Sequence, residues 1–207
     1  MGAAARRVGF VCATLVVTFL GAGVGPASAA DSRNARTVTS SAPYVMPLED
    51  YASYQPQTKC RQKPKAGILA LADWLVARGG GYGPISRPCD GTSTSEHQES
   101  RAFDWLLDAD DPADKALAEA FLDEAFAPDD TGAPAALARR MGIMYVIWND
   151  RIYASYDQFQ PRAYLSSGCR TKRRCSPTLR HRDHVHVSLT RQGAKGLTSW
   201  YAAQPVG

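Results

Sequence analysis

Residues 143–153 read IMYVIWNDRIY, and the pattern of this stretch indicates strands rather than helix. A run of apolar and aromatic residues from Ile143 to Trp148 is followed by the pair Asn149-Asp150 and then by a second short run, Arg151 to Tyr153. β-Branched and aromatic residues favour strands, and a two-residue polar turn between such runs is typical of a hairpin. The stretch therefore predicts two antiparallel strands in the second half of the chain.

Downstream of the hairpin, residues 184–189 read HVHVSL and predict a last strand. Residues two apart in an extended chain point to the same side. Val185 and Val187 are therefore expected to face the core, while His184 and His186 lie side by side on the opposite face.

Upstream of the hairpin, two segments have helical patterns. In residues 65–78 apolar side chains recur at the spacing of one helix face, and three glycines at 79–81 end the segment. Asp111 can cap a second helix that has Pro112 at its first position. Helices first and strands later predict an α+β fold in which helices pack on one side of an antiparallel sheet.

The first residues, 1–29, are predicted to be a signal peptide. Arg6 and Arg7 precede an apolar run from Val8 to about Val24, and Ala27-Ser28-Ala29 has the small-x-small pattern of a cleavage site. A retained membrane anchor is the alternative, but the run is shorter than the roughly 20 residues that span a bilayer. We therefore expect a secreted or cell-envelope protein with no stable membrane insertion after signal removal.

The rest of the chain is predicted to hold an arm and one domain. Residues 30–58 are rich in Ser, Thr, Pro and Gln, so we expect a linker or a weakly ordered arm before a domain at 59–205. A basic stretch between Arg170 and Arg182 offers nucleic-acid binding as an alternative function. It has no interleaved aromatic residues, so we interpret it as a solvated loop and expect no nucleic-acid partner.

Five cysteines are present, and Cys12 lies in the predicted signal peptide. The even set that remains predicts disulfides in an exported chain. Three pairings are open for four cysteines, and a zinc–cysteine cluster is the rival interpretation, although no paired C-x-x-C motifs occur. We favour Cys60 with Cys89 and Cys169 with Cys175, because the second pair can close a short loop.

All four histidines fall in two short polar segments, and this clustering indicates a metal site. If residues 101–105 form a strand, the turn before it can bring His97 back to Asp104. His97, Asp104 and His186 then make a His, His, Asp set, which suits a catalytic zinc with an open position better than a structural one. His184 and Asp183 compete for the role of general base.

A resemblance supports this site. Residues 95–104 have the form S-x-H-x-x-S-x-A-x-D, which resembles the S-x-H-x-x-G-x-A-x-D signature of the zinc D-Ala-D-Ala carboxypeptidases and dipeptidases. His184-Val185-His186 resembles the closing H-x-H of the same LAS-type group, which includes lysostaphin-type and murein endopeptidases and the Hedgehog signalling domain. The resemblance implies a Hedgehog/D-Ala-D-Ala-peptidase-like fold, one Zn²⁺ ion on His97, Asp104 and His186, and peptidoglycan or its peptides as partner.

The resemblance also implies roles for neighbouring residues. A histidine stands three residues before the H-x-H of the murein endopeptidase branch, as His181 does here. The carboxypeptidase branch has E-x-x-H at this place, which maps Asp183 onto the catalytic glutamate and leaves His184 or Asp183 as the base. The interval between the two motifs and the hairpin look like an exported actinobacterial branch of the group.

Three more residues near the first motif take part in the resemblance. Arg87 resembles an arginine that steadies a substrate carboxylate or the developing oxyanion, and Ser95 opens the first motif. Ser100 replaces the usual glycine, so a positive φ there would carry strain. The expected function is an exported zinc-dependent hydrolase of amide bonds in peptidoglycan peptides, as endopeptidase or carboxypeptidase. A non-catalytic zinc-binding module for cell-wall material or a partner protein is the alternative.

Overall fold

The computed structural model describes residues 44–90 and 94–203. The predicted signal peptide and Cys12 lie outside the described residues. No helix within these two ranges combines the length and apolar character needed to span a bilayer.

The described residues form an α+β domain built on one antiparallel sheet, as the sequence predicts. Its six strands run in the spatial order β1-β2-β6-β3-β4-β5, and all neighbours are antiparallel. The strands are β1 (Gly81–Tyr82), β2 (Ala102–Leu106), β3 (Ile143–Trp148), β4 (Arg151–Ala154), β5 (Pro161–Ala163) and β6 (Val185–Leu189).

The helices pack on one face of this sheet. Apolar side chains of β2 and β6, including Phe103 and Val187, share a buried core with helix residues such as Leu71 and Phe121. Burial of this surface is the main source of stability for the layered arrangement. The helices are α1 (Ala66–Val76), α2 (Pro112–Phe126), α3 (Ala136–Arg140), α4 (Arg191–Lys195) and α5 (Ser199–Ala203).

The predicted hairpin is confirmed as β3 and β4. Its two turn residues, Asn149 and Asp150, have φ values of 47° and 64°. Two consecutive left-handed residues define the tight turn whose twist matches that of the flanking strands, and Asn and Asp tolerate this conformation. Arg180 donates to both carboxylate oxygens of Asp150, at 3.0 and 2.6 Å, and so links the hairpin to the segment that precedes β6.

A β-bulge in β3 decides which side chains reach the opposite face of the sheet. Ile143 pairs with Leu189 and Tyr145 pairs with Ser188, so Met144 is an extra residue in β3. An inserted residue shifts the alternation of the strand by one position. Ile143 therefore faces the core with Leu189. Tyr145 lies on the same face as His186, away from the helices, because β3 pairs with β6 in regular register from Tyr145 onward.

Both predicted disulfides are present. Cys60 pairs with Cys89 and Cys169 pairs with Cys175, with Cα–Cα distances of 6.1 and 5.5 Å. Disulfides persist in oxidising compartments, so this chemistry is typical of a protein outside the cytosol.

Residues 44–58, the described part of the predicted arm, contain no helix or strand and lie along the domain. Tyr44 and Tyr51 pack against the core. Gln57 accepts a hydrogen bond from the backbone of Ser95 at 2.7 Å, and the backbone of Thr58 donates to the Glu99 carboxylate at 3.0 Å. The segment thus contacts the turn that carries His97.

Candidate metal centre

His97 is positioned by a tight turn between residues 95 and 101. Residues Glu96–Glu99 form one turn of 3₁₀ helix, and the Ser95 hydroxyl caps it by accepting from the His97 backbone at 3.3 Å. Ser100 ends the turn with φ 49° and ψ 51°, the left-handed conformation that glycine adopts most readily. The Ser100 hydroxyl donates to the Arg61 carbonyl at 2.9 Å, a contact that glycine would not make.

Asp104 and His186 come together because they are cross-strand partners on β2 and β6. Directly opposed residues on one sheet face have Cβ atoms about 4.5–5.5 Å apart, so their polar atoms can meet. The alternation of β2 buries Phe103 in the core and turns Asp104 to the opposite face, as the sequence predicts.

The three predicted ligands converge on one point. His97 Nε2 lies 3.1 Å from Asp104 Oδ1 and 3.2 Å from His186 Nδ1, and His186 Nδ1 lies 2.9 Å from the same Asp104 oxygen. All three residues are buried. One ligand atom from each therefore forms a compact triangle that can hold a metal ion.

The second nitrogen of each ligand histidine has its own partner. His97 Nδ1 lies 3.1 Å from the Ile85 carbonyl, and His186 Nε2 lies 2.9 Å from the Ser188 hydroxyl. A carbonyl only accepts, so Nδ1 of His97 carries the hydrogen, and in the neutral ring Nε2 directs a lone pair at the Asp104 carboxylate. Two acceptors this close require a proton or a cation between them. The arrangement is the usual support of a metal-binding histidine.

The electrostatics of the triangle favour a carboxylate and neutral imidazole. Burial alone raises the pKa of Asp104, but the contacts with His186 and His97 outweigh it and hold that pKa well below its ordinary range. Burial lowers the pKa of His186, against the opposing effect of Asp104. The neutral ring is the form that binds metals.

His184 lies beside the triangle, and Asp183 lies behind His184. His184 Nε2 is 3.6 Å from Asp104 Oδ1, whereas His184 Nδ1 is 2.7 Å from Asp183 Oδ1. The second oxygen of Asp183 accepts from the Thr178 hydroxyl at 2.5 Å. The structure thus brings His184 to the ligands and uses Asp183 to hold the His184 ring.

His181 completes the histidine cluster. Its ring centre lies 4.7 Å from that of His184 and 5.6 Å from that of His186. Its Nδ1 is buried with no hydrogen-bond partner among the described residues. Burial, together with the neighbouring His186 and His184, lowers the pKa of His181 to about 2, so its ring is neutral.

A polar cleft of about 430 Å³ opens over the triangle. Arg87 is exposed at the cleft, and its backbone donates to the His97 carbonyl at 3.2 Å. The cleft leaves room for a water or a small substrate group next to the ligands. Its other lining residues are Thr94, Ser95, Glu96, Tyr145, Ile147, Tyr164, Ser166, Ser167, Gly168, Thr178, Leu179, His181 and His184.

Glu96 and its link to Tyr145 are parts of the cleft that the sequence did not indicate. The Tyr145 hydroxyl donates to Glu96 Oε2 at 2.6 Å, and the buried Arg101 guanidinium lies 3.5 Å from Glu96 Oε1. The Tyr145 ring stacks on His186 with ring centres 5.6 Å apart. Burial raises the pKa of Tyr145, and Glu96 raises it further, so the hydroxyl keeps its proton. Tyr145 lies here because it pairs with Ser188 in the same register that places Ile147 opposite His186, and the sequence pattern does not specify this pairing.

The fold and the site together define a disulfide-linked α+β domain with an open His, His, Asp group that can hold a metal ion. The chain belongs to the family described as VldE, C-terminal domain, whose model matches residues 60–175, more than half of the chain. The matched stretch begins at one disulfide cysteine and ends at another, and it contains His97 and Asp104 but not β6. Neither a curated protein nor a solved structure matches the chain.

Proposed function

We propose that this protein is an exported zinc-dependent hydrolase that cleaves amide bonds in peptidoglycan peptides. The main support is that His97, Asp104 and His186 converge on one point. His184 lies next to them, and an open cleft lies above. The resemblance of both motifs to the LAS-type peptidases and a disulfide pattern typical of export support the cell-wall assignment.

The ligand triangle fits zinc by its donors and its size. Zinc ligands about 2.0–2.2 Å from the ion at tetrahedral angles lie about 3.3 Å from one another. The three ligand atoms are 2.9–3.2 Å apart. Catalytic zinc commonly has three protein ligands and a fourth open position, and the cleft lies on the open side of this group.

When bound, zinc would supply Lewis acidity that polarises the amide carbonyl and lowers the pKa of an attacking water from about 15.7 to near 7. His184 is positioned to take the proton of that water at Nε2, because Nδ1 already donates to Asp183. The same nitrogen can then deliver the proton to the departing amine. One water is consumed, and a carboxylic acid and an amine are formed.

The remaining cleft residues provide charge stabilisation and orientation. The Arg87 guanidinium can bind either a substrate carboxylate or the oxyanion that develops on the carbonyl, because it is exposed to the cleft. The ring of His181 lies beside His184, and its Nδ1 has no hydrogen-bond partner within the described part of the chain, which suits a hydrogen bond to water or substrate. Tyr145 is bound to Glu96 and so stabilises the position of the His186 ring rather than acting as an acid.

Peptidoglycan digestion tests the proposal directly. The zinc-loaded protein is incubated with purified peptidoglycan and the released muropeptides are identified by mass spectrometry. We expect new termini at one type of amide bond, and no release by His97→Ala. As a matched control, His184→Gln should keep its zinc and lose turnover. Zinc binding without cleavage of any peptidoglycan type would contradict the hydrolase assignment and favour the non-catalytic zinc module.

A further inference from the structure

A second cavity of about 350 Å³ is lined mainly by basic side chains and shares no lining residue with the metal cleft. It lies where the segment 58–61, the start of α1, the end of the 95–101 turn and α4 meet. Its lining residues are Thr58, Lys59, Arg61, Lys65, Glu99, Arg101, Arg191 and Lys195.

The single carboxylate in this basic pocket does not neutralise it. Six of the lining residues are cations and only Glu99 is an anion. Glu99 is already saturated, because Oε2 accepts from Arg101 at 2.6 Å and Oε1 accepts from the backbone of Lys59 at 3.1 Å, among other contacts. The pocket therefore has a large excess of positive charge.

The cations also act on one another. Lys65 is half-buried, and burial lowers its pKa. Glu99 opposes this effect, while Arg101, Arg61 and Lys195 add to it. Like charges held this close are costly unless an anion offsets them. An anion in the pocket would remove this repulsion.

The pocket is preorganised by the fold. α1 and α4 are in backbone contact at Gly67, where an added Cβ would lie 2.0 Å from the Gly193 carbonyl oxygen, and this contact fixes the separation of Lys65 and Lys195. The Cys60–Cys89 disulfide restrains the backbone at Cys60, the residue between Lys59 and Arg61. Little ordering is then required when a ligand binds, which favours affinity.

We propose that this basic pocket binds a phosphate group, either free or as part of a polymer. Guanidinium groups such as those of Arg61 and Arg191 form paired hydrogen bonds with phosphate, and ammonium groups such as that of Lys195 add charge. A phosphate carries about −1.5 to −2 charges at neutral pH and so matches the excess better than one carboxylate does. The cavity is larger than a single phosphate needs, which leaves room for the adjoining unit of a chain. The assignment does not depend on the metal centre.

Titration with two probes at constant ionic strength tests this site. Inorganic phosphate and linear polyphosphate are added separately to the protein, and binding is measured by calorimetry. We expect binding that weakens at least 10-fold in the double variant Arg61→Gln/Lys195→Gln, because two charge-assisted contacts are lost. The matched control is Arg173→Gln/Arg174→Gln, which removes the same charge from exposed positions in the Cys169–Cys175 loop.

Each result of these titrations either supports or overturns the phosphate site. Binding of inorganic phosphate that depends on Arg61 and Lys195 identifies a free-anion site, and the same dependence for polyphosphate alone identifies a polymer site. If neither probe binds at low salt, the proposed phosphate site is wrong. An equal loss of affinity in the control variant Arg173→Gln/Arg174→Gln would also overturn the site, because it would indicate diffuse charge attraction. Both mutated side chains are exposed. Thermal melting checks that the double variant folds, and the single variant Lys195→Gln replaces it if it does not.

Discussion

The imidazole of His184 and the carboxylate of Asp183 lie 2.7 Å apart, and this contact gives the two candidate bases different roles. Asp183 also accepts from Thr178, so its carboxylate is turned towards the His184 ring and the 178–183 loop. His184 in turn lies 3.6 Å from the Asp104 oxygen at the centre of the ligand triangle. The geometry favours His184 as the base and Asp183 as the residue that positions it.

Asp183→Ala is therefore expected to lower kcat by about 10–100-fold, with zinc content and KM unchanged, because outer partners of a site residue contribute in this range. His184→Gln should lower kcat by about 10²–10⁴-fold, the usual contribution of a general base. Steady-state kinetics with a synthetic stem peptide measures both variants. If Asp183→Ala were the more damaging of the two, the roles would be reversed.

Ser100 combines a strained backbone with a compensating hydrogen bond. A left-handed non-glycine residue costs on the order of 1–2 kcal/mol, and the bond to Arg61 returns about 1 kcal/mol. Ser100→Ala keeps the strain and loses the bond, so we expect a loss of about 1 kcal/mol in unfolding free energy. Ser100→Gly loses the bond but relieves the strain, so it should be as stable as the parent or more stable by up to about 1 kcal/mol. Urea unfolding distinguishes them, and equal losses in both variants would contradict this balance.

Glu99 is expected to make stability depend on acid pH. Burial alone raises the pKa of Glu99, but hydrogen bonds from Thr58 and Arg101 outweigh it and hold the pKa at about 2. Because the folded pKa lies below the unfolded value, the stabilisation is complete above the unfolded pKa and is lost as the pH falls towards 2. Glu99→Gln should cost about 3 kcal/mol at neutral pH and flatten the acid dependence.

Thermal melting between pH 3 and 7 measures this effect. Glu119→Gln is the control, because Glu119 forms an exposed ion pair with Lys115 and the loss of this pair should stay within about 0.5 kcal/mol. A Glu99→Gln variant as stable as the parent at neutral pH would show that the carboxylate contributes little.

The two disulfides should contribute unequally to stability. Cys60 and Cys89 are 29 residues apart, and Cys169 and Cys175 are 6 apart. Loop-closure entropy predicts stabilisation of about 3.6 kcal/mol for the longer loop and about 2.2 kcal/mol for the shorter one. Paired Cys→Ala variants, compared by urea unfolding under oxidising conditions, measure each contribution. A larger loss from the short loop would contradict this ranking.

Patterns within single segments predicted much of the fold. The hairpin at 143–153 was visible because its apolar runs and its Asn149-Asp150 turn are local features, and the helix expected at 65–78 is found as α1. β1 and β5 were not predicted, since strands of two and three residues have no periodicity to detect. The bulge at Met144 arises from pairing with β6, which a single segment does not reveal.

In the candidate site, too, local patterns were predicted and contacts between separate segments were missed. Alternation along β6 predicted that His184 and His186 share a face, and the structure confirms it. The pairing of Asp183 with His184 and the buried link from Arg101 through Glu96 to Tyr145 were missed. The link from Arg101 to Tyr145 joins residues distant in sequence, and the pair at 183 and 184 depends on a loop conformation that the sequence pattern does not specify.

Zinc stoichiometry tests whether His97, Asp104 and His186 form a zinc centre. The parent protein and the variant Asp104→Ala are dialysed against zinc, and the bound metal is quantified by mass spectrometry, with the exposed Asp130→Ala as matched control. We predict one zinc ion per chain in the parent and in the control, and loss of zinc in Asp104→Ala. Metal-free parent protein, or full zinc content in Asp104→Ala, would contradict a zinc centre formed by His97, Asp104 and His186.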